Sequence, residues 1–149
     1  MPKVPLEHTE AVHFARWCKY NDIDAWHIPN ETFTPYHSVK NRNKAAGVKS
    51  GIADYLVYLN ADQTPNKQAK LIWIELKRQK KSLSNVKDSQ KDFLEKMNTV
   101  SDCFAFIAYG ALEAMFFVEK YWNGKKTPKP EVTKQDVDDF KAWLHKEPQ

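Results

Sequence analysis

Asp54, Glu75 and Lys77 are the residues of this chain whose types and spacing could do chemistry. Glu75 and Lys77 interrupt Leu71-Ile72-Trp73-Ile74-Glu75-Leu76-Lys77, a run otherwise as apolar as a buried strand. Strand side chains alternate, so the carboxylate and the amine point the same way, about 7 Å apart. Placing both on a hydrophobic strand is costly unless they serve a site or reach water. Asp54 opens the preceding strand-like run, Asp54-Tyr55-Leu56-Val57-Tyr58-Leu59. Two carboxylates that meet across a hairpin can hold a hard divalent cation such as Mg²⁺. A neighbouring lysine can offset charge in a transition state or help activate a water. The combination points to metal-assisted hydrolysis of phosphodiesters.

The ordered set of residues around this trio resembles the PD-(D/E)XK nuclease superfamily and, more narrowly, the VRR-NUC family. The resemblance runs over residues 5–120 or so. It begins with a helical Glu in Leu6-Glu7-His8-Thr9-Glu10 and continues through His27-Ile28-Pro29-Asn30. Next come Gly47-Val48-Lys49-Ser50-Gly51-Ile52-Ala53-Asp54, then Ile74-Glu75-Leu76-Lys77-Arg78, and finally Gln90 in a following helix. Ala53 stands where the superfamily name has proline, and Ala11 where many relatives carry glutamine. The resemblance implies a restriction-endonuclease-like α/β core, with a mixed central sheet flanked by helices. It also implies a Mg²⁺- or Mn²⁺-dependent deoxyribonuclease. Asp54 and Glu75, helped by Glu7 and the Leu76 carbonyl, would hold the metal; Lys77 would act on the water or phosphate, and Gln90 would support the geometry. Stand-alone members resemble junction resolvases and flap nucleases, so the implied partner is branched DNA, in the setting of DNA repair or Holliday junction resolution. A homodimer would supply two matched cuts.

Several assignments stay open on residues alone. Glu10 is an alternative to Glu7 one turn later, and acids favour a helix N-terminus in any case. Asp54 could be a turn residue, and Gln90 a surface glutamine. His27 could be satisfied locally, and Asn30 fits a turn. Tyr36 and His37 could stack on bases, whereas Trp26, Trp73, Trp122 and Trp143 are expected in the core or at subunit contacts.

These residues need elements to position them. Pro5–Tyr20 reads as a helix with Val12, Ala15 and Cys18 at helical spacing and Phe14 and Trp17 widening its apolar face. Ala25–Ile28 is a short strand, and residues 30–50 look irregular. Strands follow over 54–59 and 71–76, joined by a polar, protruding loop from Asn60 to Lys70. A helix capped by Ser84 or Asp88 runs to Asn98, with Phe93, Leu94 and Met97 inward. Phe104–Tyr109 is a buried strand and Ala111–Trp122 a helix. Thr133–His145 is a last amphipathic helix with Val137, Phe140 and Leu144 on one face. The order is αβββαβ plus C-terminal helices, within one nuclease-like domain over residues 1–149. Its core spans about 5–122 and its helical extension about 131–146.

Composition is compatible with this. A chain of 149 residues, 42% hydrophobic and 28% charged, can bury one core. Cys18 and Cys103 are too few and too far apart for a zinc site, and both are expected to be buried thiols. The chain has no Walker loop or dinucleotide fingerprint. There is no apolar run near about 18 residues and no charged-then-apolar leader pattern, so a cytoplasmic location is expected. The net charge of +4 is mildly basic. Its distribution says more: Lys40, Arg42, Lys44 and Lys49 precede Asp54, while Arg78, Lys80 and Lys81 follow the Glu-x-Lys strand. Two basic clusters bracketing the same carboxylates favour a phosphate-binding surface over solvated loops. Two other functions remain compatible: a restriction or repair nuclease on plain duplex, and a non-catalytic DNA-binding module of the same fold.

Overall fold

The computed structural model describes residues 3–29, 36–47, 49–83 and 85–124. Its centre is strand β3, Lys70–Lys77, which separates two layers of helices. Strands β1 (Asp24–His27), β2 (Tyr55–Leu59), β3 and β4 (Cys103–Tyr109) form one sheet in the order β1-β2-β3-β4. β1, β2 and β3 are mutually antiparallel, and β4 runs parallel to β3. The parallel pair needs a crossover. It is supplied by α3, Asp88–Met97. Period-two alternation then decides which helix covers which face.

Ile72, Ile74 and Leu76 share one face with Tyr55, Val57 and Leu59. This face packs on α1 (Glu7–Tyr20) and α4 (Ala111–Glu119) through Phe14, Cys18, Ala111, Ala114 and Val118. Each large apolar side chain fully removed from water here contributes about 1.5–3 kcal/mol. Trp73 lies on the other face with Ala53, Ala105 and Leu94, edge-on to Phe93 at 5.0 Å between ring centroids. Glu75 and Lys77 continue that second face, at the end of the strand where α3 begins. Phe93, Leu94 and Met97 point inward as their spacing predicts.

The structure differs from the sequence-based expectations at several points. The connection between β1 and β2 is not irregular throughout: His37–Ala45 forms a helix, α2. The stripe that α1 buries is Glu10, Phe14 and Cys18, while Ala15 is exposed. Trp26 is not a core residue; it lies on edge strand β1 and is 52% exposed. The loop after β2 does not protrude freely. It holds a short 3-10 turn (Ala61–Gln63) and a fully buried Thr64, and Gln63 ties it to Asp22 and Asn123. Both cysteines are free and buried. Burial pushes the Cys18 thiol up to about 12. Among the described residues no helix is long and apolar enough to cross a membrane. Asn30, Trp143 and the helix expected near the C-terminus lie outside the described residues.

Candidate active site

Register brings the carboxylates together. Tyr55 pairs with Ile74, so the next step outward sets Asp54 opposite Glu75. Asp54 Oδ2 accepts a hydrogen bond from the backbone N–H of Leu76 at 2.9 Å, which aims the aspartate along the end of β3. Gly51 makes this approach possible. Its φ is +98°, and a Cβ there would lie 2.7 Å from the carbonyl oxygen of Ser89. Only glycine lets the loop before Asp54 abut the first turn of α3.

That first turn carries Gln90, whose side chain is engaged at both ends. Its Oε1 accepts the backbone N–H of Lys87 at 2.9 Å, closing the start of α3. Its Nε2 donates to Glu75 Oε1 at 2.8 Å. Lys77 Nζ lies 3.2 Å from the same Glu75 oxygen and donates a long, weak bond to Gln90 Oε1 at 3.4 Å. Glu75 and Lys77 are only 2% and 8% exposed, so this is a buried charged cluster rather than a surface pair. One atom stays unsatisfied: Glu75 Oε2 is buried and has no hydrogen-bond partner among the described residues. A buried carboxylate oxygen without a partner is expensive for the protein alone and suits a cation.

The electrostatics agree. Burial, then the negative charge of Asp54, push the Glu75 carboxyl up to about 7, against the opposing pull of Lys77. Burial also raises Asp54, although the Leu76 N–H, Lys77, His27 and a hydrogen bond from Glu75 when that acid is protonated act the other way. Glu7 is raised by burial and then by Asp54. The three acids therefore sense one another, and a divalent cation would relieve that repulsion.

Glu7, His27, Asp54, Tyr55 and Leu76 line a cleft of about 370 Å³ between α1 and the ends of β1 and β2. Among the described residues, no three His, Cys, Asp or Glu side chains converge closely enough to ligate one ion. Glu7 lines the cleft with Asp54 but does not complete a three-ligand group. Mg²⁺ commonly takes one or two carboxylates and keeps several waters, so the residues present fit it.

Glu10 does a different job. It is fully buried, and its Oε2 accepts the Ala111 N–H at 2.6 Å at the N-terminus of α4. Its Oε1 accepts from Gln79 Nε2 at 3.1 Å. Gly110, at φ +99°, leaves room for it, since a Cβ there would stand 2.9 Å from Glu10 Oε2. A carboxylate at that helix end is stabilised by the unpaired N–H groups and the dipole.

The basic residues divide. Lys40, Arg42 and Lys44 are exposed on α2, with Lys49 exposed after it. Lys80 is exposed, and Lys81 lies with Nζ 4.9 Å above the Tyr109 ring. Arg78 is not displayed as expected. It is half-buried and donates to the carbonyls of Val4 at 2.7 Å and Pro5 at 3.0 Å, anchoring the segment that leads into α1 and Glu7.

No protein-family model matches this chain, and no curated protein matches it. Its fold is shared with a solved structure described as a VRR_NUC domain protein, with a TM-score of 0.56 and 19% sequence identity. The similarity covers 80% of this chain and 89% of that one.

Proposed function

We propose that this chain, which has the fold of a VRR_NUC domain protein, is a metal-dependent deoxyribonuclease of the VRR-NUC and PD-(D/E)XK type. The observation that carries this reading is the buried Oε2 of Glu75, which no donor among the described residues satisfies, at a strand position opposite Asp54 and beside Lys77 and Gln90. Asp54, Glu75 and the Leu76 carbonyl would hold Mg²⁺ or Mn²⁺, with Glu7 acting through water. When bound, the cation supplies positive charge that polarises a phosphodiester and lowers the pKa of water. Lys77 directs its ammonium toward the reacting phosphate and balances charge as it develops. Gln90 holds Glu75 through its amide N–H, and Lys77 is held mainly by Glu75, so the pair is preorganised before substrate arrives. His27 stands on the rim of the same cleft, where a ring N–H can donate to a phosphate oxygen.

The substrate we favour is branched DNA, cut by a homodimer. A panel of labelled flap, fork, four-way junction, duplex and single strand, with and without Mg²⁺ or Mn²⁺, tests both the activity and the preference. We expect divalent-dependent cleavage, strongest on branched substrates. Lys77→Ala should lower the single-turnover rate by about a hundredfold while leaving DNA affinity unchanged. If only affinity falls, Lys77 is a backbone contact and the mechanism is wrong. DNA binding without cleavage of any substrate would replace the nuclease by a binding module.

A further inference from the structure

Helix α2 is the described helix that buries no residue. Its nine residues fall short of the roughly 12–15 that an isolated helix needs in water. Local chemistry helps it only at the C-terminal end, where Arg42 and Lys44 suit the helix dipole. The Tyr36 side chain does not cap the helix, and the first turn has no acid. Lys40 and Lys44 stand one turn apart, a like-charge spacing that disfavours a free helix. Ser38, Asn41 and Asn43 are weak helix formers.

The same residues make sense against a polyanion. A rotation of about 100° per residue puts His37, Lys40 and Lys44 in one stripe. Half-buried Val39 lies away from that stripe, half-buried Asn43 flanks Lys40, and Arg42 projects to the far side. Both ends of the connection that carries α2 are fixed at the site. Ile28 N–H donates to the Asp54 carbonyl at 2.7 Å, and Gly51 abuts Ser89 of α3. Between these anchored ends the helix carries a row of basic groups and no acidic one.

We propose that α2 is a DNA-backbone clamp that works as a helix, and that DNA rather than the protein core sustains its helical form. This deepens the nuclease reading, on which its placement beside scissile DNA rests. Binding phosphates along the His37–Lys40–Lys44 stripe removes the like-charge repulsion and releases counterions, so ordering the helix and gripping the strand are one event.

The test separates helix from charge. Asn41→Pro changes no charge but cannot be helical in the interior of α2, whereas Asn41→Ala favours the helix. DNA affinity is measured by anisotropy without divalent metal, using labelled duplex and flap, on the full chain. Asn41→Pro should bind about tenfold more weakly or worse, and Asn41→Ala at least as tightly as wild type. Ellipticity at 222 nm should become more negative on adding DNA to wild type and Asn41→Ala, and not to Asn41→Pro. The melting temperature of Asn41→Pro should stay close to that of wild type, because no residue of α2 is fully buried and only Val39 and Asn43 are half-buried. Wild-type affinity in Asn41→Pro would overturn the proposal, leaving only loose cationic charge. So would a lowered melting temperature, which would make α2 part of the core. Divalent-dependent cleavage by wild type is scored separately. Cleavage with no effect of Asn41→Pro removes the clamp alone. A helix effect without cleavage removes the nuclease and keeps the clamp.

Discussion

The end of β3 and helix α2 carry charge in opposite ways. At β3 the charged groups are buried, and one glutamine side chain bonds to both Glu75 and Lys77. On α2 the charged groups are exposed and the element has no buried residue. The first arrangement spends folding energy to hold atoms still, which chemistry demands. The second asks nothing of the core, which suits sequence-independent affinity. Substitutions at β3 should therefore change rate and stability together, while substitutions on α2 should change affinity alone.

The largest effect belongs to the carboxylates. Asp54→Asn or Glu75→Gln should lower divalent-dependent cleavage by at least about a hundredfold. Near-wild-type cleavage in both variants would sink the assigned site. Stability should move the other way. In the metal-free protein Glu75 keeps its proton up to about 7, whereas an ordinary glutamate releases it near 4.5. Across that window the unfolded chain is ionised and the folded chain is not, so stability falls as pH rises. Asp54, also raised, adds in the same direction. Glu75→Gln removes the glutamate's share. Its melting temperature relative to wild type should therefore rise between pH 5 and pH 7.5 without metal. A pH-independent difference would mean that neither burial nor its neighbours raise Glu75.

A smaller effect distinguishes two glutamates one turn apart on α1. Glu7 lines the cleft, and Glu10 caps α4. Glu7→Gln should lower cleavage about tenfold with little change in melting temperature, as expected for a group acting through water. Glu10→Gln leaves a buried cap imperfect and should lower the melting temperature by several degrees. Its loss of activity should track loss of folded protein. If Glu7→Gln destabilises and Glu10→Gln does not, the two roles are reversed.

These contrasts also mark what could be read in the chain. The central strands were legible because their alternation is strong and the apolar run of β3 leaves few other structures. The meeting of Asp54 with Glu75 follows from hairpin register once both strands are recognised. Helix α2 was not legible, because helices are recognised by an apolar stripe and this one has none. The burial of Glu10 was hidden by its residue type, since an acid near a helix start ordinarily faces water. A signal was present, however. Glu10 lies four residues before Phe14 and eight before Cys18, on the stripe that α1 buries. Of the two places expected for Trp26 the structure removes the core and leaves the subunit contact, because a tryptophan in a short strand carries no mark of whether that strand lies at an edge.

The smallest expected effect separates charges that share a cluster in sequence but not in space. A phosphate contact on duplex DNA contributes about 0.9 to the slope of log affinity against log salt. Lys80 and Lys81 are exposed, so replacing both with Ala should flatten the slope by up to about 1.8, with only the small loss of stability that goes with the Lys81 contact on Tyr109. Arg78 is committed to the carbonyls of Val4 and Pro5. Arg78→Ala should barely change the slope. It should instead loosen the segment before α1 and so weaken the hold on Glu7. The measurement is a salt titration of anisotropy beside a thermal melt for each variant. A full unit of slope lost in Arg78→Ala at unchanged melting temperature would place that guanidinium on the DNA and dissolve the distinction between anchored and displayed charge.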